Sequence, residues 1–159
     1  MDTRLRVASC DTDERLAAAA GLFNHYRHHY GESDGDARAR EWLSEMVRTR
    51  RLTVWAAWPD TEPDTAPVGL ATSHEMPASL VLGTFWQVRD LYVIPGARRR
   101  GVAAALVGAV RDAALVAGAT RLSLVTEPDN AAALSLYRGL GFRPVEGVSP
   151  LSLDLAPLA

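Results

Sequence analysis

The chain has 159 residues, of which 48% are hydrophobic and 23% are charged, and its formal net charge is −2. This length fits a single domain, residues 1–159, that needs no disulfides for stability, and the composition excludes a disordered chain. The near-neutral charge excludes a general attraction to nucleic acid or to a membrane surface, so we expect neither as a partner.

The first half of the chain predicts two helices that follow a first strand and precede two more strands. Polar and apolar side chains alternate in the first strand, whereas apolar side chains recur at helical spacing in the helices. In chain order we predict a strand at Arg4–Ser9, a helix capped by Asp11 and Thr12 that ends near Tyr30, a helix that restarts at Asp34–Asp36, and strands at Leu52–Trp58 and Val68–His74 that the loop Asp60–Pro67 joins.

The second half of the chain predicts strands and helices in alternation. We predict a strand at Phe85–Val93, a helix at Gly101–Ala117, a strand at Arg121–Thr126, a helix at Ala131–Leu140 and a last strand at Ser149–Leu155. The resulting order, βααβββαβαβ, indicates an α/β fold in which a mixed, mostly antiparallel sheet is flanked by helices.

The segment Val93–Ala104 carries the most informative pattern, because a strand leads through an arginine-rich loop into a helix. The first turn of a helix leaves backbone N–H groups unpaired, and the macrodipole adds roughly half a positive charge there. Small residues at Gly101, Ala103 and Ala104 let a pyrophosphate approach this backbone, and Arg98–Arg100 add cations. The segment therefore predicts a diphosphate site, although it has neither the Walker spacing nor the dinucleotide fingerprint.

The same segment resembles the signature of the GCN5-related N-acetyltransferase (GNAT) superfamily, Arg/Gln-x-x-Gly-x-Gly/Ala. Arg98-Arg-Arg-Gly101-Val-Ala103 matches this signature, and Val93-Ile-Pro95 matches the family's Val-x-Pro lead-in. Downstream, Asn130 and Tyr137 reproduce the family's asparagine and tyrosine seven residues apart, and the pair Gly141-Phe142 follows. The amino-terminal half of the chain agrees with the family only in its order of elements.

The resemblance implies an enzyme that transfers the acetyl group of acetyl-CoA to an amine by direct attack in a ternary complex. The pantetheine arm would lie along the end of the central strand, and the pyrophosphate would lie on the start of the next helix. Tyr137 would be the general acid that protonates the departing thiolate, and a backbone N–H near Tyr92 or Val93 would stabilise the oxyanion. The implied cofactor contacts are Leu91, Tyr92, Val93, Arg98, Arg99, Arg100, Gly101, Val102, Ala103, Ala104, Asn130 and Tyr137.

The general base is less clear from the sequence. An alkylamine has an unperturbed pKa of about 10, so some group has to take its proton. Many members of the family carry a glutamate on the central strand, and Arg89, which cannot act as a base, stands at that position here. Asp90 is adjacent but faces the other side unless the strand bulges. Asp90 and Glu75 are the first candidates, and His74, Glu127 or an ordered water chain are the alternatives.

The acceptor is expected at the end of the first helix and the loop after it, a region that lines the acceptor pocket in the family. The predicted contacts are Tyr26, His29, Tyr30, Glu32 and Arg89. A pocket-facing Arg89 would hold a carboxylate, which points to an amino-acid-like acceptor. His25 and His29 are one helical turn apart, but no cysteine or carboxylate accompanies them at a ligand spacing, so we expect no metal.

Two classes of function stay open. The first is acetylation of a small amine, such as an amino acid, a polyamine or an amine-bearing antibiotic. The second is a protein- or peptide-acetylating enzyme or a non-catalytic acetyl-CoA sensor. The connection Met76–Thr84 looks long enough to cover the acceptor side, which favours a small acceptor. The apolar tail Leu151–Leu158 permits a homodimer.

Several features predict a cytoplasmic protein of bacterial origin. Cys10 is the single cysteine and cannot form an internal disulfide, the amino terminus lacks the apolar segment of a signal peptide, and the apolar run Val102–Val110 is too short to span a bilayer. All 17 basic residues are arginine, which indicates a GC-rich genome.

Overall fold

The computed structural model describes residues 4–32, 35–61 and 66–156. The described strands are β1 (Leu5–Ser9), β2 (Thr53–Pro59), β3 (Gly69–Ala78), β4 (Gly83–Val93) and β5 (Leu122–Leu124). The described helices are α1 (Asp13–His29), α2 (Asp36–Arg48), α3 (Val102–Val116) and α4 (Ala131–Gly139). Asp34 and residues 62–65, which belong to predicted segments, lie outside the described residues.

The strands form one sheet in the order β1-β2-β3-β4-β5. Each neighbouring pair from β1 to β4 is antiparallel, and β5 is parallel to β4. The chain divides into two compact units, Met1–Val125 and Thr126–Ala159, so the first unit holds the whole sheet with α1, α2 and α3, and the second holds α4. The predicted mixed, mostly antiparallel sheet with flanking helices is confirmed.

Both faces of the sheet in the first unit bury apolar side chains against helices. On one face α1 and α2 bring Phe23 and Leu43 against Val54, Ala56 and Leu70 of the sheet. On the other face, Val102 and Leu106 of α3 pack against Ala57, Ala71 and Val93. Adjacent residues such as Ala56 and Ala57 point to opposite faces because successive side chains alternate along a strand. The apolar runs of β2 and β3 therefore follow from burial on both sides.

Gly69 sets the distance between α3 and the sheet. A Cβ atom at this position would lie 2.5 Å from Cγ1 of Val102 and 2.9 Å from Cδ1 of Leu106. Both of these side chains are buried. The start of α3 can therefore pack directly over the beginning of β3, which pairs with the end of β4. Through this contact a glycine of β3 positions the amino terminus of α3 beside the last residues of β4.

Two sequence-based expectations about the chain are wrong. Residues 149–155 do not form the predicted last strand, and Leu151, Leu153 and Leu155 are 94%, 81% and 90% exposed. Their alternation is typical of a strand, but a strand exists only where a neighbour completes its hydrogen-bond ladder.

Met76–Thr84, in turn, is not the long free connection that the sequence predicts. Met76, Pro77 and Ala78 pair with Phe85, Thr84 and Gly83, and a short turn at Ser79–Val81 closes the hairpin. Pro77 interrupts the strand pattern in the sequence although its position is paired in the sheet.

None of the helices that the structure describes combines the length and the apolar composition that a membrane crossing requires.

The substitution Gly69→Ala is expected to lower the free energy of unfolding by about 1–3 kcal/mol, because the added methyl group overpacks the contact with α3. Urea denaturation followed by far-UV circular dichroism measures this change. Gly21→Ala is the matched control, since Gly21 lies inside α1 and no atom lies within 4 Å of the place that its added methyl group would take. The control is expected to raise stability by about 0.5–1 kcal/mol. Equal effects of the two substitutions would contradict the packing argument.

Candidate active site

A β-bulge in β4 determines which side chains face α1. Thr72 of β3 pairs with Asp90, but the next residue, Ser73, pairs with Val88, so Arg89 is the extra residue of the bulge. A one-residue bulge exchanges the faces of the side chains that follow it. Asp90 consequently lies on the α1 face of the sheet, whereas Arg89 is exposed. The condition under which Asp90 could reach the acceptor side, a bulge in the central strand, is met.

Both carboxylate oxygens of Asp90 accept hydrogen bonds from neighbouring hydroxyl groups. The Tyr26 hydroxyl donates to Oδ1 at 2.7 Å across 64 residues of sequence, and the Thr72 hydroxyl donates to Oδ2. Thr72 is fully buried, so its hydroxyl has few other partners available. These two bonds hold the Asp90 carboxylate in one orientation between α1 and β3.

Tyr26 is a donor and not a base in this arrangement. Burial raises the pKa of the Tyr26 phenol, the hydrogen bond and charge of Asp90 raise it further, and the charge of Arg89 opposes these effects. A phenol with a raised pKa keeps its proton at neutral pH. Tyr26 therefore presents an O–H group to Asp90 throughout the physiological range.

Four aromatic rings beside Asp90 form a closed circuit of contacts, which we call the aromatic cluster: Tyr26, His29, Tyr30 and Tyr92. Ring centroids are 5.2 Å apart for Tyr26–Tyr30 and for His29–Tyr30, and 6.1 Å apart for His29–Tyr92 and for Tyr26–Tyr92. Tyr30 is 55% exposed, so the cluster reaches the surface. The predicted acceptor residues of α1 thus meet the central strand at Asp90 and Tyr92.

The other candidate bases have surroundings of their own. Glu75 is exposed and accepts a hydrogen bond from Nε1 of Trp86 at 3.2 Å. It is three positions from Thr72 along β3, and alternation therefore places it on the opposite face of the sheet. His74 shares the face of Thr72, where its Nε2 lies 3.0 Å from Oε1 of Gln87. Glu127 is exposed and belongs to the second unit.

Within the first unit, no described strand pairs with β4 beyond the bulge on the side away from β3, and we call this side the open edge of β4. β5 pairs only with Trp86–Val88, and in the described part of the chain its ladder ends at Leu124 while β4 continues to Val93. The N–H of Ile94 donates to Val68 on the β3 side at 3.0 Å. By the alternation of an antiparallel ladder, Leu91 and Val93 direct their main-chain polar groups to the open side.

The loop after β4 leads into the amino terminus of α3 through two residues with positive φ. Arg99 has φ 63° and Gly101 has φ 80°. For a residue with a side chain this conformation costs about 1–2 kcal/mol, so the surrounding structure has to maintain it at Arg99. Gly101 precedes α3 without a side-chain cap, and the first intrahelical bond joins the N–H of Ala105 to Gly101. The N–H groups of residues 102–104 are therefore the first-turn donors of α3.

The arginines of this loop are exposed, but Arg98 folds back on the strand. Its Nε donates to the carbonyl oxygen of Val93 at 3.0 Å, and its guanidinium lies 5.8 Å from the ring centroid of Tyr92. Arg98 thus contacts both the open edge of β4 and the aromatic cluster. The positive end of α3, with Arg99 and Arg100 beside it, has the properties of an anion-binding site.

The second unit contains the two downstream residues of the sequence motif. Asn130 caps α4, because its Oδ1 accepts a hydrogen bond from the N–H of Ala133 at 3.1 Å. Tyr137 lies on the same helix and its ring contacts Phe142, with centroids 5.9 Å apart. The spacing of Asn130 and Tyr137 is therefore that of a cap and a side chain two helical turns later.

Sequence reasoning missed the part that Thr72 and the Tyr92 ring play around Asp90. A threonine in the apolar strand Gly69–Ala78 was the available signal, because a buried hydroxyl needs a partner.

Two of the remaining predicted site residues lie at or beyond the end of α1. Glu32 is exposed beyond the end of α1, and His29 contacts Tyr30 and Tyr92. Within the described ranges, no group of three or more His, Cys, Asp or Glu side chains could hold a metal ion.

Cys10 has no place in this chemistry. The side chain is buried between β1 and α1, and burial raises the pKa of its thiol to about 12. A thiol in this state carries almost no thiolate at neutral pH and is therefore a poor nucleophile.

Comparisons with known proteins agree with this geometry. Residues 17–142 match the model of the Acetyltransferase (GNAT) family. The chain is 30% identical over 131 residues to the uncharacterized N-acetyltransferase YhfO of Bacillus subtilis strain 168, covering 82% of this chain and 85% of that protein. A crystal structure of a probable acetyltransferase superimposes with a TM-score of 0.85 at 27% identity, covering 98% of this chain and 99% of the other.

A further structural match contains a coenzyme A derivative. AAC(6')-Iy, in complex with the bisubstrate analogue CoA-S-monomethyl-acetylneamine, has a TM-score of 0.77 at 20% identity, with 95% of this chain and 99% of the other covered. At this identity the match establishes a shared fold. Because the family model matches residues 17–142, which are most of the chain, the chain belongs to the GNAT family of acetyltransferases, enzymes that use acetyl-CoA.

Proposed function

We propose that this acetyltransferase transfers the acetyl group of acetyl-CoA to the amine of a small molecule, with Asp90 as the proton acceptor. The observation that carries the proposal is the bulge at Arg89, after which the Asp90 carboxylate lies on the α1 face, directly before the open edge of Leu91 and Val93. An acyl donor along that edge and an amine beside Asp90 would meet at the end of β4.

The open edge of β4 and the start of α3 suit the two polar parts of coenzyme A. The main-chain N–H and carbonyl of Leu91 would pair with the amides of the pantetheine arm as an additional strand would. The pyrophosphate would accept hydrogen bonds from the N–H groups of Val102, Ala103 and Ala104, where the helix dipole is positive. The exposed side chains of Arg98, Arg99 and Arg100 would add charge from the loop.

The chemistry is a direct aminolysis of the thioester. The amine nitrogen forms a bond to the acetyl carbon, the carbon–sulfur bond breaks, Asp90 takes the proton of the amine and Tyr137 gives a proton to the thiolate. The N–H of Val93 is the better placed oxyanion donor, since alternation directs the N–H of Tyr92 toward β3. The roles of Tyr137, and of Asn130 as a further cofactor contact, rest on the resemblance to the family.

Asp90 is a stronger candidate than Glu75 for physical reasons. Asp90 is half-buried and held by Tyr26 and Thr72 beside the predicted acceptor residues. Glu75 is exposed and lies on the opposite face of the sheet. A base acts only when it can reach the proton that it removes, so position decides between the two carboxylates.

The structure removes one reason for a small acceptor. Met76–Thr84 is mostly paired as a hairpin and is not a long free connection, so loop length no longer favours a small molecule. The support now comes from the carboxylate and the rings around Asp90, which suit a single amino group. The bisubstrate ligand of the similarly folded AAC(6')-Iy joins coenzyme A to an acetylneamine, which agrees with an amine acceptor of limited size.

Free-thiol release from acetyl-CoA with a panel of amino acids, polyamines, amine-bearing antibiotics and peptides tests the proposal. We expect turnover of small amines, and we expect Asp90→Asn to lower kcat/KM by about 10²–10⁴-fold because the proton acceptor is lost. Glu75→Gln, the matched substitution on the opposite face, is expected to change kcat/KM by less than about twofold. Turnover of peptides alone would contradict the small-molecule assignment. A larger loss from Glu75→Gln would transfer the role to Glu75.

Arg89→Ala tests whether the acceptor carries a carboxylate. We expect KM to rise about tenfold for amines that bear a carboxylate and to stay within about twofold for amines that lack one, because a charge-assisted pair is removed. Initial rates at saturating acetyl-CoA provide the measurement, and Arg111→Ala, an exposed arginine of α3, is the control. Equal KM values before and after the change at Arg89 would remove this arginine from the acceptor site.

Tyr137→Phe tests the general-acid role. We expect kcat to fall about 10²-fold at neutral pH with little change in the KM for acetyl-CoA. Above about pH 9 the departing thiolate needs no proton, so the deficit should shrink as the pH rises. Unchanged turnover at neutral pH would exclude the role. A chain that binds acetyl-CoA but turns over no amine or peptide would instead be a sensor.

A further inference from the structure

We propose that the aromatic cluster and Asp90 together form a cation-binding subsite that accepts an alkylammonium group, including a quaternary ammonium that cannot be acetylated. The proposal rests on the proposed function in that this subsite would hold the acceptor before transfer. It goes further by naming the recognised chemistry, a positive charge surrounded by carbon, so that binding can be measured without any reaction.

The carboxylate of Asp90 is oriented by uncharged hydrogen-bond donors. Its two oxygens accept hydrogen bonds from the hydroxyls of Tyr26 and Thr72, and none of the salt bridges between described residues includes Asp90. Arg89 is the adjacent cation, but it is exposed, so solvent screens its charge. Hydroxyl donors are neutral, so they orient a carboxylate without compensating its negative charge. A cationic ligand can therefore still form a charge-assisted pair with it.

The rings next to this carboxylate provide the second half of a cation site. A cation is attracted to the face of a tyrosine ring within about 6 Å of its centroid. The cluster already shows this property at one end, where the guanidinium of Arg98 lies 5.8 Å from the centroid of Tyr92. At the other end Tyr30 is 55% exposed and contacts both Tyr26 and His29. The exposed part of Tyr30 is therefore accessible to a ligand from solvent, at the edge of the cluster that contains Tyr26, the hydrogen-bond partner of Asp90.

Charge and shape together distinguish this subsite from an ordinary apolar patch. An apolar patch would bind a quaternary ammonium and its uncharged carbon isostere about equally, because both bury the same methyl surface. A carboxylate with aromatic walls would favour the cation, since both the Coulomb attraction and the ring quadrupoles act only on the charge. The comparison of the two ligands is therefore the diagnostic measurement.

Isothermal titration calorimetry of the full chain, saturated with CoA, tests the proposal with choline and with the alcohol in which carbon replaces the quaternary nitrogen. We expect choline to bind about tenfold more tightly than the isostere. Asp90→Asn is expected to raise the Kd of choline about tenfold. Asp112→Asn, which removes an exposed carboxylate from α3, should change the Kd of choline by less than about twofold. Equal Kd values for the two ligands would overturn the proposal.

Two variants of Tyr30 provide a test that depends little on folding, because this ring is largely exposed. Tyr30→Phe keeps the ring and should leave the Kd of choline within about twofold, while Tyr30→Leu should raise it about threefold or more. Equal effects of the two would contradict a role for the ring. Choline binding without turnover of any amine would support the subsite and refute the proposed function. Amine turnover with no competition from choline would refute the subsite alone.

Discussion

The site depends on how β4 satisfies its main-chain hydrogen bonds. Polar groups of a buried strand need partners, and β3 provides them along one side from Gly83 to Val93 except at the bulge residue Arg89. On the other side, among the described residues of the first unit, β5 pairs with Trp86–Val88 alone. Within this unit the end of β4 therefore has a paired strand on one side and none on the other. An extended ligand with amide groups is the kind of molecule that can complete such an edge.

The bulge at Arg89 directs Val88 and Asp90, the residues on either side of it, to opposite faces of the sheet. Before the bulge, Val88 is buried and pairs with Ser73, whose hydroxyl accepts from Trp55 on the α3 face. After it, Asp90 lies on the α1 face, where Tyr26 and Thr72 hold its carboxylate. Without the extra residue the alternation would continue unbroken and the carboxylate would point away from α1. One inserted residue thus brings an acidic group to the aromatic cluster without disturbing the rest of the ladder.

Packing on the opposite face positions the other end of the site. Gly69 lets Val102 and Leu106 approach β3 more closely than any side chain would allow. The first turn of α3 is thereby held next to the end of β4, with the strained loop of Arg99 between them. The positive end of a helix and the open edge of a strand thus come from separate elements. A shared buried contact fixes the distance between them.

The sequence by itself determined the features that depend on neighbouring residues. The amino terminus of α3, the glycine and alanines around it and the arginines before it are all contiguous, so the prediction of a diphosphate site could be made from local sequence, and it stays a prediction. The motif that joins Asn130 to Tyr137 could be identified in the same way, since both lie on one short helix.

Tertiary structure decided the features that depend on pairing across the chain. Tyr26 and Asp90 meet across 64 residues, and they meet only because the register of β3 against β4 contains a bulge. The same dependence explains why the alternation of Leu151, Leu153 and Leu155 predicted a strand that does not form, and why Met76–Thr84 became a hairpin. A strand, its register and its bulges are properties of two segments together, because each hydrogen bond of a ladder needs a donor from one segment and an acceptor from the other.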